Sequence, residues 1–93
     1  MDLLKKFKLN RKELNVTNSK LDEYYQYLLD SAKAELKAED ITDGVLKTEY
    51  GQSCIIYCAN LIIEGLDRAT NPTMILMKNT LSSMTKGEKY SDD

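Results

Sequence analysis

The chain has 93 residues, 42% of them hydrophobic, and a formal net charge of −2 from 13 basic and 15 acidic side chains. This length favours one domain around one core, and the near balance of charge gives no electrostatic case for nucleic-acid binding by the whole chain. Histidine is absent, which removes the commonest general base. Because no phosphate loop, nucleophile elbow or metal-ligand spacing is found either, the sequence predicts a protein without enzymatic activity, cofactor or metal.

The first predicted helix is short and runs from residue 2 to about residue 8, with Asp2 as its N-cap. Its apolar residues, spaced to dock on one face, are Leu3, Leu4 and Phe7. Five basic side chains crowd the same region: Lys5, Lys6, Lys8, Arg11 and Lys12. Such a cluster can contact phosphates or an acidic partner, although a solvated surface is the commoner outcome. No secretory signal pattern precedes it, and we expect a soluble, intracellular protein.

The second predicted helix opens at Ser19, where Ser19-Lys-Leu-Asp22 has the form of a capping box, and ends near Glu39. Its amphipathic stripe consists of Leu21, Tyr25, Leu28, Ala32 and Leu36. Tyr24 and Tyr27 widen the apolar face beyond this stripe. Since tyrosine joins a large apolar body to a hydroxyl group, these two residues are candidate subunit or partner contacts. The alternative is that they cover a small core.

A central helix is predicted from residues 45–48 to about Arg68, with Gly51 and Gly65 inside it as packing points. Residues 54–63 are apolar on every side, so this helix has to be surrounded by neighbouring helices or by another chain. The run is too short to span a membrane. Asp67 and Arg68 close the helix, either as a charge pair with a neighbouring subunit or as a solvated helix end.

Cys54 and Cys58 lie four residues apart and share one side of the central helix. A metal site would need two more ligands, and the chain has no histidine and no other cysteine. A disulfide across one helical turn has poor geometry. We therefore predict two buried thiols that behave as small hydrophobic side chains.

The last predicted helix begins with Asn71 as N-cap and Pro72 at the first helical position. One side of it is lined by Met74, Met77, Leu81 and Met84, which favours core packing over an adaptable docking face. From residue 86 onward the pattern has no periodicity, so a flexible tail over 86–93 is predicted after a helical domain over 1–85. The fold class is all-α: a single small domain of about four helices, with a short N-terminal helix, two long helices and one shorter C-terminal helix.

This order of elements resembles the phage head-tail connector proteins, a family of small helical DNA-packaging and neck adaptors. The segments that carry the resemblance are residues 21–36, 55–68 and 71–81, together with the opening Asp2-Leu-Leu-Lys-Lys-Phe. Asp67, Arg68 and Pro72 match the family pattern, and they carry over as structural residues. Three positions before Arg68 the family often has a bulky aromatic residue, and this chain has Gly65.

The resemblance implies a structural component of a tailed-phage virion, assembled in the host cytoplasm and located at the head-tail junction. Its expected partners are other copies of itself in a ring, the portal protein and the next neck or tail component, without a membrane. Such a ring docks under the portal and extends the DNA channel, and DNA passes through it without sequence-specific binding. A net acidic chain suits a channel that does not grip DNA.

Two other functions stay open at this point. The first is a small helical DNA-binding regulator, based on the N-terminal lysines and a helix-turn-helix over residues 21–68. Against it, the candidate recognition helix offers only Asn60 between residues 54 and 63 for reading bases. The second is a dimeric helical scaffold, in which the apolar helix pairs about a two-fold axis.

Overall fold

The computed structural model describes residues 1–90, with side chains through Glu88, and this part of the chain is all-helical. The five helices are α1 (Leu3–Asn10), α2 (Ser19–Lys37), α3 (Asp43–Leu46), α4 (Glu49–Glu64) and α5 (Pro72–Tyr90). Helix α4 packs against α2, α3 and α5, while α1 packs against α2. The principal extents of 46 × 29 × 18 Å describe a flat molecule about two helix diameters thick. The predicted all-α single domain is confirmed.

Two of the predicted helix starts are confirmed, and one is wrong. The side chains of Asp2 and Asn71 cap α1 and α5, and each accepts a hydrogen bond from the backbone amide three residues on. Helix α2 is capped by Asn18 rather than by a box opened at Ser19. Asn18 has an extended backbone, and its Oδ1 accepts from the amides two and three residues on at 3.0 and 3.2 Å. Ser19 is therefore the first helical residue.

The start of the predicted central helix is divided into two elements at Thr48. Thr48 has an extended backbone, its Oγ1 accepts from the Gly51 amide at 3.0 Å, and the same hydroxyl donates to the Val45 carbonyl at 2.6 Å. A threonine hydroxyl that bonds to the backbone on both sides offers an alternative to continuous helical bonding. The short α3 therefore ends before Thr48, and α4 begins after it.

The predicted continuation of the central helix to Arg68 is wrong, because Gly65 adopts a left-handed conformation with φ of 69°. The amides of Gly65 and Leu66 donate to the carbonyls of Ile62 and Leu61 at 3.1 and 2.9 Å. This is the Schellman arrangement that terminates helices. Gly65 is also not a packing point, since no neighbouring atom lies within 4 Å of the position that a Cβ would take.

Helix α4 is enclosed by the chain itself. Its buried residues are Gly51, Cys54, Ile55, Cys58, Ala59 and Leu61. Within residues 54–63, the other large apolar side chains are partly buried and pack against the same core: Ile56, Tyr57, Ile62 and Ile63. The rest of the chain thus buries five of residues 54–63 and leaves the other five half-buried. Both cysteines are buried and free, as predicted.

The last helix is longer than predicted. Helix α5 has 19 residues, as many as α2 and more than the 16 of α4, so the prediction of a shorter C-terminal helix is wrong. It continues to Tyr90, which places residues 86–90 in a helix rather than in an irregular tail. One cause is that Thr85 is buried, and its Oγ1 accepts from the backbone amide of Thr42 at 3.3 Å. This contact fixes the last turns of α5 to the start of α3. Residues 91–93 lie outside the described part.

Candidate protein interface

The two candidate tyrosines lie on the outer surface of α2. Tyr24 is 49% exposed and Tyr27 is 68% exposed, whereas Tyr25 between them is buried in the core. They begin a row of uncharged side chains at spacings of three and four residues, here called the α2 stripe: Tyr24, Tyr27, Ser31, Ala34 and Ala38. Ser31 is half-buried, and the other four are exposed. At this spacing the five side chains share one face of the helix.

The outward half of α5 is free of charge over three turns. The exposed residues from the start of the helix are Pro72, Thr73, Ile75, Leu76, Asn79, Thr80 and Ser83. Leu76 is 67% exposed. Charged residues make up 30% of the chain, yet between residues 69 and 85 Lys78 is the only one. Its Nζ pairs with Glu39 of α2 at 3.2 Å. We call this outward half the α5 face.

The methionines on the opposite side of α5 belong to the core, as the sequence favoured. Met74 is fully buried with Leu81, and Met77 and Met84 pack against them while half-buried. The predicted row therefore covers the inward side of this helix, and the outward side was not predicted. The signal was present, because a surface helix normally carries charged residues opposite its apolar stripe. A single charge between residues 69 and 85 departs from that pattern.

Asp67 and Arg68 lie in the loop between α4 and α5, apart from the α2 tyrosines. The guanidinium of Arg68 forms a forked pair with Glu35 of α2, with Nη2–Oε1 at 2.6 Å and Nε within 3.2 Å of both carboxylate oxygens. Asp67 accepts hydrogen bonds from the Ala69 amide and the Thr70 hydroxyl, both at 3.0 Å, and these bonds lower its pKa. Both side chains thus hold the loop within the chain itself. Glu35 lies two turns beyond Tyr27 on α2.

Glu35 also accepts a hydrogen bond from the Cys58 thiol, with Sγ–Oε2 at 3.3 Å. The hydrogen bonds from Arg68 hold the pKa of Glu35 below its usual value, and the thiol contact acts in the same direction. Burial, together with the carboxylate beside it, raises the pKa of Cys58 to about 12. The group therefore works as a clamp between α2, α4 and the loop, with an ionised carboxylate at its centre.

We expect this clamp to be lost in acid. Because the pKa of Glu35 is lower in the folded chain, its ionised form stabilises the fold above the ordinary carboxyl value of 4.5, and the contribution disappears as the pH falls through the folded pKa. Glu35→Gln should reduce the free energy of unfolding at neutral pH by about 0.5–1 kcal/mol, a value discounted for partial exposure. Urea denaturation at neutral and acidic pH measures both effects.

In the same measurements, the free energy of unfolding should fall less between neutral and acidic pH for Glu35→Gln than for the wild type. Asp30→Asn is the matched control, because Asp30 is an exposed carboxylate on the same helix. It accepts a hydrogen bond from the side-chain amide of Gln26 at 3.0 Å. Parallel acid declines for the wild type and Glu35→Gln would contradict the clamp.

Most of the N-terminal basic cluster is paired within the chain. The ion pairs are Lys6–Glu49 at 3.1 Å, Lys8–Asp22 at 2.9 Å and Arg11–Glu13 at 3.7 Å. In the part of the chain that the structure describes, this leaves Lys5 and Lys12 without a salt bridge. Little positive charge remains free to contact phosphate, so the cluster contributes mainly to packing.

Arg11 is the centre of a polar network that was not predicted from the sequence. Its guanidinium lies 5.5 Å from the centre of the Tyr25 ring, and it donates to the Tyr25 hydroxyl at 3.1 Å and to Asn60 Oδ1 at 2.9 Å. The Tyr25 hydroxyl in turn donates to Glu13. An open cleft of about 500 Å³ beside this network is lined mainly by amide, arginine and tyrosine side chains. The lining offers no nucleophile paired with a base.

Within the described residues, no group of three or more His, Cys, Asp or Glu side chains is placed to hold a metal ion. No described helix combines the length and apolar character needed to cross a membrane. Comparisons with protein-family models, curated proteins and solved structures gave no match.

Proposed function

We propose that the protein is a structural adaptor of a tailed-phage virion that forms a ring under the portal, joins head to tail and extends the DNA channel. The observation that carries the proposal is the uncharged, exposed α5 face, with Leu76 at its centre. Depletion of charge is what distinguishes the core of a protein interface from ordinary surface. The phage assignment itself rests on the order of elements that resembles the head-tail connector proteins.

A ring also needs two different surfaces on each subunit. Head-to-tail contacts join unlike surfaces and close when the rotation between neighbours allows it, whereas a two-fold dimer needs only one surface that matches itself. The α2 stripe and the α5 face are two such surfaces, and they differ in the side chains they present. This favours the ring over the dimeric scaffold.

A DNA-binding regulator has less support. Its recognition helix would be α4, which is enclosed by the core, and Asn60 of that helix is already engaged by Arg11 and Asn10 at 2.9 Å each. A helix that reads the major groove presents free polar side chains to the bases. Titration with duplex DNA at low and moderate salt tests this alternative, because steep salt-dependent binding would support the regulator.

Absolute mass measured by light scattering on a size-exclusion peak tests the proposed function. The measurement is made over a wide concentration range, with and without the portal protein of the same phage. We expect a large species of fixed subunit number, formed alone or on the portal, and a ring in negative-stain images of the complex. A dimer whose mass does not change with concentration or on addition of the portal protein would overturn the connector proposal.

A further inference from the structure

We infer that neighbouring copies contact each other by packing the α5 face of one copy antiparallel on the α2 stripe of the next. This inference rests on the proposed assembly of copies and assigns its contact. Both surfaces are exposed within the chain and uncharged along their centres. A charged partner surface would lose hydration here without gaining an opposite charge, which is unfavourable. A second copy supplies an uncharged surface of the same length.

The two surfaces have the same spacing. On α5 the residues in line are Thr73, Leu76, Thr80, Ser83 and Gly87, again three and four residues apart. Helices that present rows at this alternating spacing pack side by side at a shallow crossing angle, with side chains of one helix between those of the other. Read in opposite directions, the two rows have intervals of 3, 4, 3, 4 and 4, 3, 4, 3, so their layers meet to within one residue, about 1.5 Å along the axis.

The sizes of the side chains fit only when the helices run in opposite directions. The α2 stripe begins with its two tyrosines and ends in Ala34 and Ala38, while the α5 row has Leu76 near its beginning and Gly87 at its end. The antiparallel register sets Tyr24 against Gly87, Tyr27 against Ser83 and Leu76 against Ala34. Each large side chain then faces a small one, as close packing requires. The space around the Gly87 Cα is open, with nothing within 4 Å of a Cβ position.

One pair of charges beside these rows supports the same register. Glu23 precedes Tyr24, and Lys86 precedes Gly87. Both are exposed, and neither forms a salt bridge within the described residues. At 100° and 1.5 Å per residue, the antiparallel register places the two side chains on the same side of the contact, about 3 Å apart along the helix axes and within reach of these long side chains. They can then pair at its rim.

A charge exchange tests this arrangement. Glu23→Lys and Lys86→Glu should each weaken self-association about two- to fivefold, the usual range for a rim ion pair, and the double exchange should restore it. Association is measured by sedimentation velocity of the full chain, alone and on the portal protein. If Lys86→Glu weakens association while Glu23→Lys does not, α5 meets something other than α2, and the inference is overturned.

A cysteine pair tests the layers directly. Tyr27→Cys and Ser83→Cys chains are mixed and oxidised mildly, with the native thiols protected by burial. We expect the disulfide between the two different variants to dominate. A dominant disulfide between two Ser83→Cys chains would instead indicate that α5 pairs with itself. No cross-link above that of a Leu9→Cys control, at an exposed position of α1, would indicate that the surfaces do not meet.

Leu76→Glu gives the largest expected loss of association, about tenfold or more, because it replaces the largest apolar side chain of the α5 row with a charge that the contact would bury. Leu9→Glu is the matched control, since Leu9 is 52% exposed on α1, outside both rows. Circular dichroism establishes that both variants are folded. A ring that survives Leu76→Glu overturns the assigned contact and leaves the connector function standing. A dimer that each single charge change weakens and the double exchange restores supports the contact and overturns the connector function.

Discussion

Replacing Gly51 with alanine is expected to destabilise the fold by about 3 kcal/mol or more, at the upper end of what overpacking costs. A Cβ at this position would overlap the Val45 carbonyl oxygen and lie 2.7 Å from the Leu46 Cα. These are backbone atoms of α3, and they cannot turn aside as a flexible side chain does. The first turn of α4 would have to move away from α3. Chemical denaturation followed by circular dichroism measures the loss.

Gly87→Ala is the matched control for this substitution. Gly87 is also helical, but a Cβ there meets no atom within 4 Å. Alanine should therefore stabilise the monomer by about 0.5–1 kcal/mol through its better helix propensity. Dilute protein is used, so that subunit contacts do not contribute. Equal effects of the two substitutions would show that α3 and α4 do not approach as described.

Phe7→Ala should cost about 3–5 kcal/mol, as removal of a buried phenylalanine ring does. Phe7 is fully buried, and its ring meets Tyr25 edge to face with centroids 5.0 Å apart. Since Tyr25 also takes part in the Arg11 network, the substitution loosens the contact between α1 and α2. Against a total stability of about 5–15 kcal/mol for a small domain, the loss is severe. The unfolding midpoint in guanidinium chloride reports it.

Leu9→Ala on the same helix supplies the comparison. Leu9 is about half exposed, so its truncation should change stability by about 0.5 kcal/mol or less. If Phe7→Ala proved as mild as Leu9→Ala, α1 would not be part of the folded core. A wild-type α1 that did not pack on the core would also leave the segment between α1 and α2 open to rapid proteolysis.

The sequence predicts the helices well where apolar spacing decides, and poorly where one backbone conformation decides. The stripe from Leu21 to Leu36 forms one side of α2, as expected. Gly65 could be read as a helix interior or a helix end, since glycine suits both, and its left-handed φ follows from where the chain turns towards α5. The end of α5 was missed for another reason: Thr85 is polar, and its burial depends on the distant Thr42.

The candidate site was predicted in part. Tyr24 and Tyr27 were named because three tyrosines lie close together on one helix. Which of the three are exposed depends on the side of α2 that faces the core, and that side carries Tyr25. The sequence predicted that Arg68 pairs with a neighbouring subunit or is solvated. Its partner in the structure is Glu35 of the same chain, 33 residues away. A contact so distant in sequence leaves no local pattern. The α5 face was visible as missing charge, a signal that a search for motifs does not detect.

Because the Cys58 thiol is buried beside Glu35, the rate of its chemical modification measures how often the fold opens. Because burial and the carboxylate beside it raise the pKa of Cys58, the thiol stays protonated at neutral pH, and the thiolate is the form that reacts. Alkylating reagents should therefore modify Cys58 only in molecules that have opened. The rate of modification counts those openings without denaturant. Because Cys58 lies on α4, beneath both α2 and the loop, this rate compares the breathing of free subunits with that of subunits held in an assembly.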